Sequence, residues 1–410
     1  MPSSLNLQSL LIHLIENHEE IKSVKHQVEQ FQAQYAQSKG LYYPTMNLAA
    51  NGGEETINKE FVSDTTETRY EVTLRADQLI TDFGKTSHTI DRSGILLEQA
   101  QVQLESTKQQ LMLEGIRAYI NIIRARERLK LAHQSEVRIK ELTGIEKTLV
   151  EKGAGLSSDV LQAKSQLAGA MALRVEAQGE LQLAKNRFQA IFYRFLTDEE
   201  VEQFEDIQFP SQKLPLELEQ AVELALKENP ELLITRYTSQ IARKDIDIAK
   251  TAFYPRLNLF AEALRKENDD GVKGYDNQAS AGLELRYNLF NGGSDKQALN
   301  SALAAQKAAT YHTDYIQRVI REQVSNSWEQ LSILKQKNEL LDQQADIVQN
   351  FLLLAKKERK MGTRSLLDVL NGEINYIHAT STAIAARQDT KTAAFNLLFS
   401  MGRIGLELFE

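Results

Sequence analysis

No cysteine occurs among the 410 residues. Disulfides, thiolate metal sites and a cysteine nucleophile are excluded, as is a lipid-modified N-terminal cysteine in the sequence as given. No window of 18 apolar residues exists, so no helix is expected to span a bilayer. A basic stripe is also missing. The 48 Lys and Arg are interleaved with 56 Asp and Glu, and the net charge of −8 argues against nucleic acid as a partner. The seven histidines form no His-Glu-x-x-His pairing, which argues against a metal site. No Ser-His-Asp arrangement or glycine-rich phosphate loop stands out, so neither an enzyme nor a bound cofactor is expected. Proline is scarce, with six in the chain and none from Arg256 onward, which leaves that stretch free to form unbroken helix. Met1-Pro2-Ser3-Ser4 runs into a polar-interrupted helix without an apolar signal core. The chain is then either cytosolic or a mature form with an added Met, and the strands described below favour the second.

What the sequence does contain is helix of unusual length. The series Ile320, Val324, Ser327, Leu331, Leu334, Asn338, Leu341, Ala345, Val348, Leu352, Ala355 steps alternately by four and three. That is a heptad seam of period 3.5, and the residues between are mostly Gln, Glu, Lys and Asp. The helix is expected to start after Asn291-Gly292-Gly293 and end near Gly362. That is roughly 67 residues, or on the order of 100 Å at 1.5 Å per residue. An ordinary helix has about 11–12 residues. One this long cannot bury its stripe in a compact core and needs partner helices alongside.

The chain is also a tandem duplication. Leu7, Leu10, Leu11, Leu14 and Ile15 give one apolar helix face, interrupted at Asn17-His18-Glu19-Glu20 and resumed to Gly40 and Tyr42-Tyr43-Pro44. Leu218, Ala221, Val222, Leu224, Ala225 and Leu226 repeat that face, interrupted at Asn229-Pro230-Glu231 and resumed to Phe253-Tyr254-Pro255. We read residues 1–196 as the first repeat, with strands over about 45–84 and a helical hairpin over about 85–195. Residues 197–410 form the second, with strands over about 256–290 and a hairpin over about 294–401. Thr197 to Pro215 reads as a polar connector.

After each Tyr-Pro the period changes from 3.6 to 2. Met46, Leu48 and Ala50, then Tyr70, Val72, Leu74 and Ala76, alternate with polar neighbours; so do Ala279, Ala281, Leu283, Leu285 and Tyr287, and, more weakly, Leu257, Leu259, Ala261 and Ala263. Polar loops are expected over Asn51–Thr68 and Glu267–Asn277. Aromatics cluster at the strand ends: Tyr42, Tyr43, Phe83, Phe253, Tyr254, Tyr275, Tyr287 and Phe290. Alternating segments of about ten residues with terminal aromatics are the pattern of a transmembrane β-barrel. An ordinary solvated hairpin would alternate too. Four strands cannot close a barrel, and a bilayer does not tolerate open edges, so a membrane location would require several chains to share one barrel.

Asp82-Phe83-Gly84 leads into a first long helix from about Lys85 to Glu151, with Leu97, Leu104, Leu111, Ala118, Ala125, Ala132 and Ile139 spaced by sevens. The two helices end in matching turns. Lys152-Gly153-Ala154-Gly155-Leu156-Ser157-Ser158-Asp159-Val160-Leu161 answers to Met361-Gly362-Thr363-Arg364-Ser365-Leu366-Leu367-Asp368-Val369-Leu370. Glycine suits the residue after the outgoing helix, and Ser157 and Ser365 are the expected N-caps of the returning ones.

In this order, and twice over, these features resemble the TolC family of outer-membrane exit ducts across nearly the whole chain. The resemblance rests on the Asn229-Pro230-Glu231 interruption, the Tyr-Pro strand entries, the Phe-Gly and Phe-Asn-Gly-Gly strand exits and the two Gly-to-Asp-Val-Leu tips. It implies a mostly α fold with a small β part. Three copies would form a 12-stranded outer-membrane barrel continued by a periplasmic α-helical barrel, the partners being a periplasmic adaptor protein, an inner-membrane transporter and outer-membrane lipid. Two departures stand out. His18 sits where the second repeat has Pro230, and the chain stops at Glu410, soon after the second hairpin.

An Asp in the first turn of a returning helix can simply favour the helix dipole. The resemblance implies instead that Asp368, and with less support Asp159, ring the periplasmic entrance. Asn371 is neutral where many relatives place a second acid. Arg364 is either a surface charge or a link across the tip that holds the entrance shut. Gly153, Leu156 and Ser157, with Gly362, Ser365 and Leu366, are plain turn chemistry or an exposed docking surface for the adaptor. Trp328 reads as a packed residue. The expected function is a passive duct. The Gly-Thr-Arg-Ser turn and the missing lipidation cysteine lean toward type I secretion of a large adhesin or toxin through an ABC-type transporter. A drug or metal efflux duct is the alternative, and a soluble coiled-coil scaffold a more distant one.

Overall fold

The computed structural model describes residues 5–58, 60, 64–154 and 156–409. Met1–Ser4, Gly155 and Glu410, used above, lie outside them, as does the middle of the first expected strand loop. The elements run α1 (Leu7–Asn17), α2 (Glu19–Lys39), β1 (Thr45–Ile57), β2 (Thr65–Thr81), α3 (Lys85–Glu151), α4 (Ser157–Phe192), α5 (Asp198–Glu202), α6 (Leu218–Glu228), α7 (Pro230–Lys250), β3 (Arg256–Glu267), β4 (Tyr275–Arg286), α8 (Ser294–Lys360) and α9 (Leu366–Ser400). Among the described residues no helix is long and apolar enough to cross a membrane. The fold is mostly helical with one small antiparallel sheet.

Two compact units emerge. One comprises Met1–Val24, Gln103–Leu232 and Ile316–Glu410, the other Lys25–Val102 and Leu233–Tyr315. Helices α2, α3, α7 and α8 contribute to both.

The second unit holds the sheet, in the order β1-β2-β3-β4, every pair antiparallel. The first strand pair reaches further than its hydrophobic pattern. Pairing continues through Asn51↔Glu71 and Glu55↔Glu67 to Ile57↔Thr65, across most of the expected loop. Backbone hydrogen bonds need no apolar side chains, so a polar stretch can stay in the ladder after the alternation fades. In the same unit Arg92 bonds to Asp245 at 2.6 Å and Lys244 to Asp91 at 2.8 Å, tying α3 to α7.

The first unit holds the largest core. Leu10, Leu11, Ile116, Ile120, Ile123, Phe188, Ile320 and Phe395 are buried together. The expected seams account for much of it. Leu111, Ala118, Ala125, Ala132 and Ile139 are buried on α3, and Ile320, Val324, Leu331, Leu352 and Ala355 on α8. The α8 seam from Leu334 to Val348 is only half-buried. Trp328 packs against this core.

The connector is not a loose link. Thr197 and Glu200 form a capping box at α5, Val201 and Phe204 are buried, and the Tyr119 ring packs tilted against Phe204 with ring centroids 4.7 Å apart. Its apolar side chains are few and irregularly spaced, so periodicity could not mark them. The register of the duplication also shifts by one. Leu7–Asn17 answers to Leu218–Glu228, an offset of 211, so His18 stands opposite Asn229 and not Pro230. The two residues do the same work. The Glu20 amide donates to His18 Nδ1 at 3.2 Å, and the Glu231 amide to Asn229 Oδ1 at 3.0 Å. Each side chain accepts from an orphan N–H of the helix that follows, as an N-cap does.

Candidate functional site

Two regions carry candidate function, one in each unit. The helical tips come first. At the end of α3, Gly153 has φ 77°, with hydrogen bonds from its own N–H to Val150 O and from Ala154 N–H to Leu149 O. At the end of α8, Gly362 has φ 80°, with Gly362 N–H to Arg359 O and Thr363 N–H to Glu358 O. Both are Schellman-type ends, which need the left-handed conformation that glycine adopts without strain. The returning helices differ. Ser365 caps α9 by accepting from the Asp368 amide at 3.1 Å. Ser157 is not a cap, because α4 already begins there and Leu156 holds the cap position with no side-chain acceptor.

Of the expected docking residues, Gly153, Leu156, Ser157, Gly362 and Ser365 are exposed. Leu366 is not: at 3 % exposure it packs with Ile139, Ala163, Ala170 and Leu370. As first residue of α9 it lies at helical spacing from Leu370 and points into that cluster. Asp368 and Asn371 are exposed one turn apart, and Asn375 and His378 continue the stripe. Asp159 is half-exposed and accepts from Ser158 Oγ at 3.3 Å. Arg364 is held locally, with Nε 2.8 Å from Glu358 Oε2 and its guanidinium 5.1 Å from the Phe351 ring centroid. Among the described residues no ion pair joins Arg364 to Asp159 within one chain.

Periodicity missed what binds the hairpins to each other. Glu373 on α9 is 0 % exposed. Arg138 on α3 reaches it with Nε 2.9 Å from Oε2, and Lys356 on α8 pairs with its other oxygen. Arg138 also lies over Tyr376, 5.6 Å from the ring centroid. Glu146 on α3, almost fully buried, takes Arg359 of α8 at 3.1 Å, and Arg359 donates its other arm to the Arg364 carbonyl at 3.3 Å. A buried carboxylate is costly unless paired, so each acid must draw a cation from another helix. One signal was available. Leu366, Leu370, Glu373 and Ile377 follow core spacing, so Glu373 interrupts an apolar stripe.

The second region is the sheet, whose two faces are inverted. Along β2 the apolar Tyr70, Val72 and Leu74 are exposed, while Glu67, Arg69, Glu71, Thr73 and Arg75 between them are shielded. On β1 Met46 and Leu48, and on β4 Leu283 and Leu285, are exposed on the same apolar face. The opposite face is a charge lattice. Arg75 bonds to Asp77 at 2.9 Å and to Glu262 and Glu284 at 3.3 Å each, crossing three strands. Arg69 joins Glu71 at 2.5 Å and Asp269 at 2.7 Å. Strands β1 and β4 each have an unpaired edge. A water-soluble sheet hides its apolar face, whereas this one displays it, as a lipid-facing wall does.

Comparison with known proteins agrees with that reading. The profile of the outer membrane efflux protein family matches residues 10–192 and 221–403, once in each repeat. The alkaline protease secretion protein AprF of Pseudomonas aeruginosa is 25% identical over 359 residues, 85% of this chain and 73% of the relative. The outer membrane efflux protein BepC of Brucella suis is 22% identical over 337 residues, 81% of this chain and 72% of the relative. The solved structure of the outer-membrane channel OprN superposes with a TM-score of 0.85 at 19% identity, covering 98% of this chain and 90% of that one. With both repeats matched and the fold shared, the chain belongs to the outer membrane efflux protein family: it is a passive channel of the outer membrane that extends into the periplasm, not an enzyme.

Proposed function

We propose that three copies of this chain close one 12-stranded barrel, and that the duct serves type I secretion of a large protein such as an adhesin or toxin. The observation that carries the trimer is the inverted sheet with two unpaired edges. Four strands cannot close, and lipid leaves no edge unsatisfied, so each β4 must pair with the β1 of another copy. The charge lattice around Arg75 and Arg69 then lines the channel.

The tips form the periplasmic entrance in this reading. Asp368 and Asn371 face the pore. Asp159 and Arg364 link neighbouring tips across the threefold axis and hold the resting entrance closed. Gly153, Leu156, Ser157, Gly362 and Ser365 receive the hairpin of a periplasmic adaptor, and the buried Leu366 fixes their spacing from below. Glu373 with Arg138 and Lys356, and Glu146 with Arg359, keep α8 and α9 against α3, so an opening tip must strain these pairs.

Protein secretion is supported by the Gly362-Thr363-Arg364-Ser365 turn and the likeness to AprF. The transporter behind the adaptor is then of the ABC type. Efflux, of drugs or metals, is the second reading; the likeness to BepC, an outer membrane efflux protein, supports efflux without naming a cargo. Deleting the chain's gene from its host separates them. Loss of a large secreted protein with unchanged drug and metal susceptibility supports secretion; raised susceptibility with intact secretion supports efflux. The trimer is tested by native mass in detergent, and a monodisperse monomer in detergent-free buffer would end the barrel reading.

A further inference from the structure

One arginine of the sheet stands on its apolar face. Arg265 on β3 is exposed on the same side as Leu259, Ala261 and Ala263, at the period of two. On the other side Arg69 and Arg75 are held by carboxylates. Arg265 has neither an ion pair nor a hydrogen bond among the described residues, and its guanidinium lies 5.3 Å from the Tyr275 ring centroid. Asn277 on β4 stands directly opposite Arg265. It is exposed as well, and its side chain has no hydrogen bond among the described residues. Directly opposed side chains have Cβ atoms about 4.5–5.5 Å apart, so a guanidinium and a carboxamide share one outward spot beside a phenol. Glu267, the next outward residue of β3, is one row further on and makes no ion pair with Arg265.

The surface beneath this pair is shallow. Ala263 faces Ala279 and Ala261 faces Ala281, a block of four small side chains across β3 and β4. Leu74 of β2, opposite Ala263 and exposed, stands along its side. Unassigned donors therefore sit at the head of an apolar trough.

The strands set the level of the pair in the membrane. Helices α2 and α7 enter the sheet, and α3 and α8 leave it, at one end, so the β3–β4 turn lies at the end away from the periplasm. Tyr254, exposed and stacked on Phe83, marks the helix end. Arg265 is about eleven residues further on. At about 3.3 Å per residue and a tilt of about 40°, that is about 28 Å along the membrane normal. The apolar band of such a barrel is about 25 Å tall, and an arginine on its lipid face is penalised heavily at the midplane but little at the interface. Arg265 and Asn277 thus lie at the headgroups of the outer leaflet. In an outer membrane that leaflet is glycolipid whose sugars carry phosphates. A guanidinium fork matches a phosphate with two parallel hydrogen bonds.

We infer that Arg265 and Asn277 hold a phosphate of an outer-leaflet glycolipid, with one of its acyl chains in the alanine trough below. Strand β3 is paired on both sides within the protomer, so the site is complete in one chain. The inference rests on the lipid-facing wall and not on closure with other copies.

Native mass spectrometry of the detergent-solubilised protein tests it, with lipid A as the probe. The parent is expected to retain lipid A and to lose it when the phosphates have been removed enzymatically. Arg265→Gln should weaken retention about tenfold, the effect of losing a charged hydrogen-bond donor. Arg265→Lys, which keeps the charge without the fork, should fall between them, and Asn277→Ala should cause a smaller loss. Both positions are exposed, so the sheet should form in every variant, and the copy number in the same spectra reports separately on the trimer. Equal retention by parent, Arg265→Gln and Asn277→Ala would overturn the inference, as would equal retention of dephosphorylated lipid A. Phosphatidylglycerol held as tightly, with the same dependence on Arg265, would overturn the glycolipid assignment. Displacement of lipid A by an equal concentration of inorganic phosphate would mark a free-anion site and overturn it too.

Discussion

The sheet and the helical unit obey opposite rules of exposure, although one chain builds both. In the helical unit Ile116, Ile120, Phe188 and Phe395 are buried and the charges mostly lie outside. In the sheet Met46, Leu74 and Leu283 lie outside, while Arg75, Glu262 and Glu284 are partly shielded among themselves. Both arrangements hide whatever the surroundings penalise. Water penalises exposed hydrocarbon, and lipid penalises exposed charge. The contrast therefore reports two different solvents, and it sits in the side chains, since the backbone of each part is ordinary.

The sharpest way to break this comparison is to put a charge on the apolar face of the sheet. Leu74→Arg or Leu283→Arg should cost about 2–4 kcal/mol in each copy at the bilayer midplane, repeated three times in the proposed barrel. Little of either variant should reach the outer-membrane fraction. Thr73→Ala, on the charged face, should assemble normally. Glu284→Ala should lie between them, because Glu284 accepts from both Arg75 and Arg286. Equal assembly of Leu74→Arg and Thr73→Ala would remove the distinction between the faces.

The next effect belongs to the helical unit, where a buried charge is the exception. Glu373→Ala leaves Arg138 and Lys356 facing each other without their acid. Removing one partner of a buried pair costs about 3–5 kcal/mol, and the lower end applies here because both cations are about one third exposed. The loss should appear as faster amide hydrogen exchange in the turns around Arg138, Lys356 and Glu373, with the sheet unaffected. Uniform exchange across the tips in parent and variant would show that the cluster contributes nothing.

A smaller effect comes from Tyr119, buried at 2 % exposure with its hydroxyl donating to Glu205 O at 3.1 Å. Tyr119→Phe should cost about 1 kcal/mol, the usual net value of such a bond. Burial pushes the Tyr119 phenol up to about 12. The folded state therefore holds a proton that the unfolded state releases near 10, so the folded state binds more protons between those values and stability must fall as pH rises through that window. Alkaline denaturation should be shallower in Tyr119→Phe. An unchanged slope would show that another group governs it.

The smallest stability effect, with a distinct functional signal, is expected at the entrance. Arg364→Ala with Asp159→Ala removes partly exposed charges worth about 0–1 kcal/mol each, so trimer stability should barely change. Single-channel conductance in planar bilayers should rise if, as proposed, Arg364 and Asp159 link neighbouring tips. Asp368→Ala should weaken block by multivalent cations. A double variant that conducts like the parent would move the gate elsewhere, and Glu373 and Glu146 would be the next positions to alter.

Much of this was legible in the sequence because it is periodic. Seams of 3.5 residues gave α3 and α8, and alternation gave the sheet; which face lies outside was not legible, because a solvated hairpin alternates in the same way. Single residues were harder to read. Glu373 is one carboxylate in a stripe, and only its partners on α3 and α8, far away in sequence, make it tolerable. His18 and Asn229 share a capping role but no chemistry that an alignment by residue type would match, so the register slipped by one. Leu366 and Ser157 were misread for a related reason: a helix that begins one residue earlier or later turns every side chain of its first turn by about 100°. Arg364 was legible as a charge at a bend, yet its partners Glu358 and Phe351 depend on how the bend folds.

The two long helices have the same length, 67 residues each. That equality constrains how the protein can evolve. A residue inserted into α3 before Glu146 rotates everything beyond it by about 100° and lifts it by about 1.5 Å, so Glu146 no longer meets Arg359. Seven residues restore the rotation but not the level. A tolerated change of length must therefore add or remove whole heptads, in both repeats at once and in the returning helices α4 and α9 as well. The duplication that made the chain thus fixed a ruler with four arms, and related ducts of other lengths should differ from this one in matched sets of sevens.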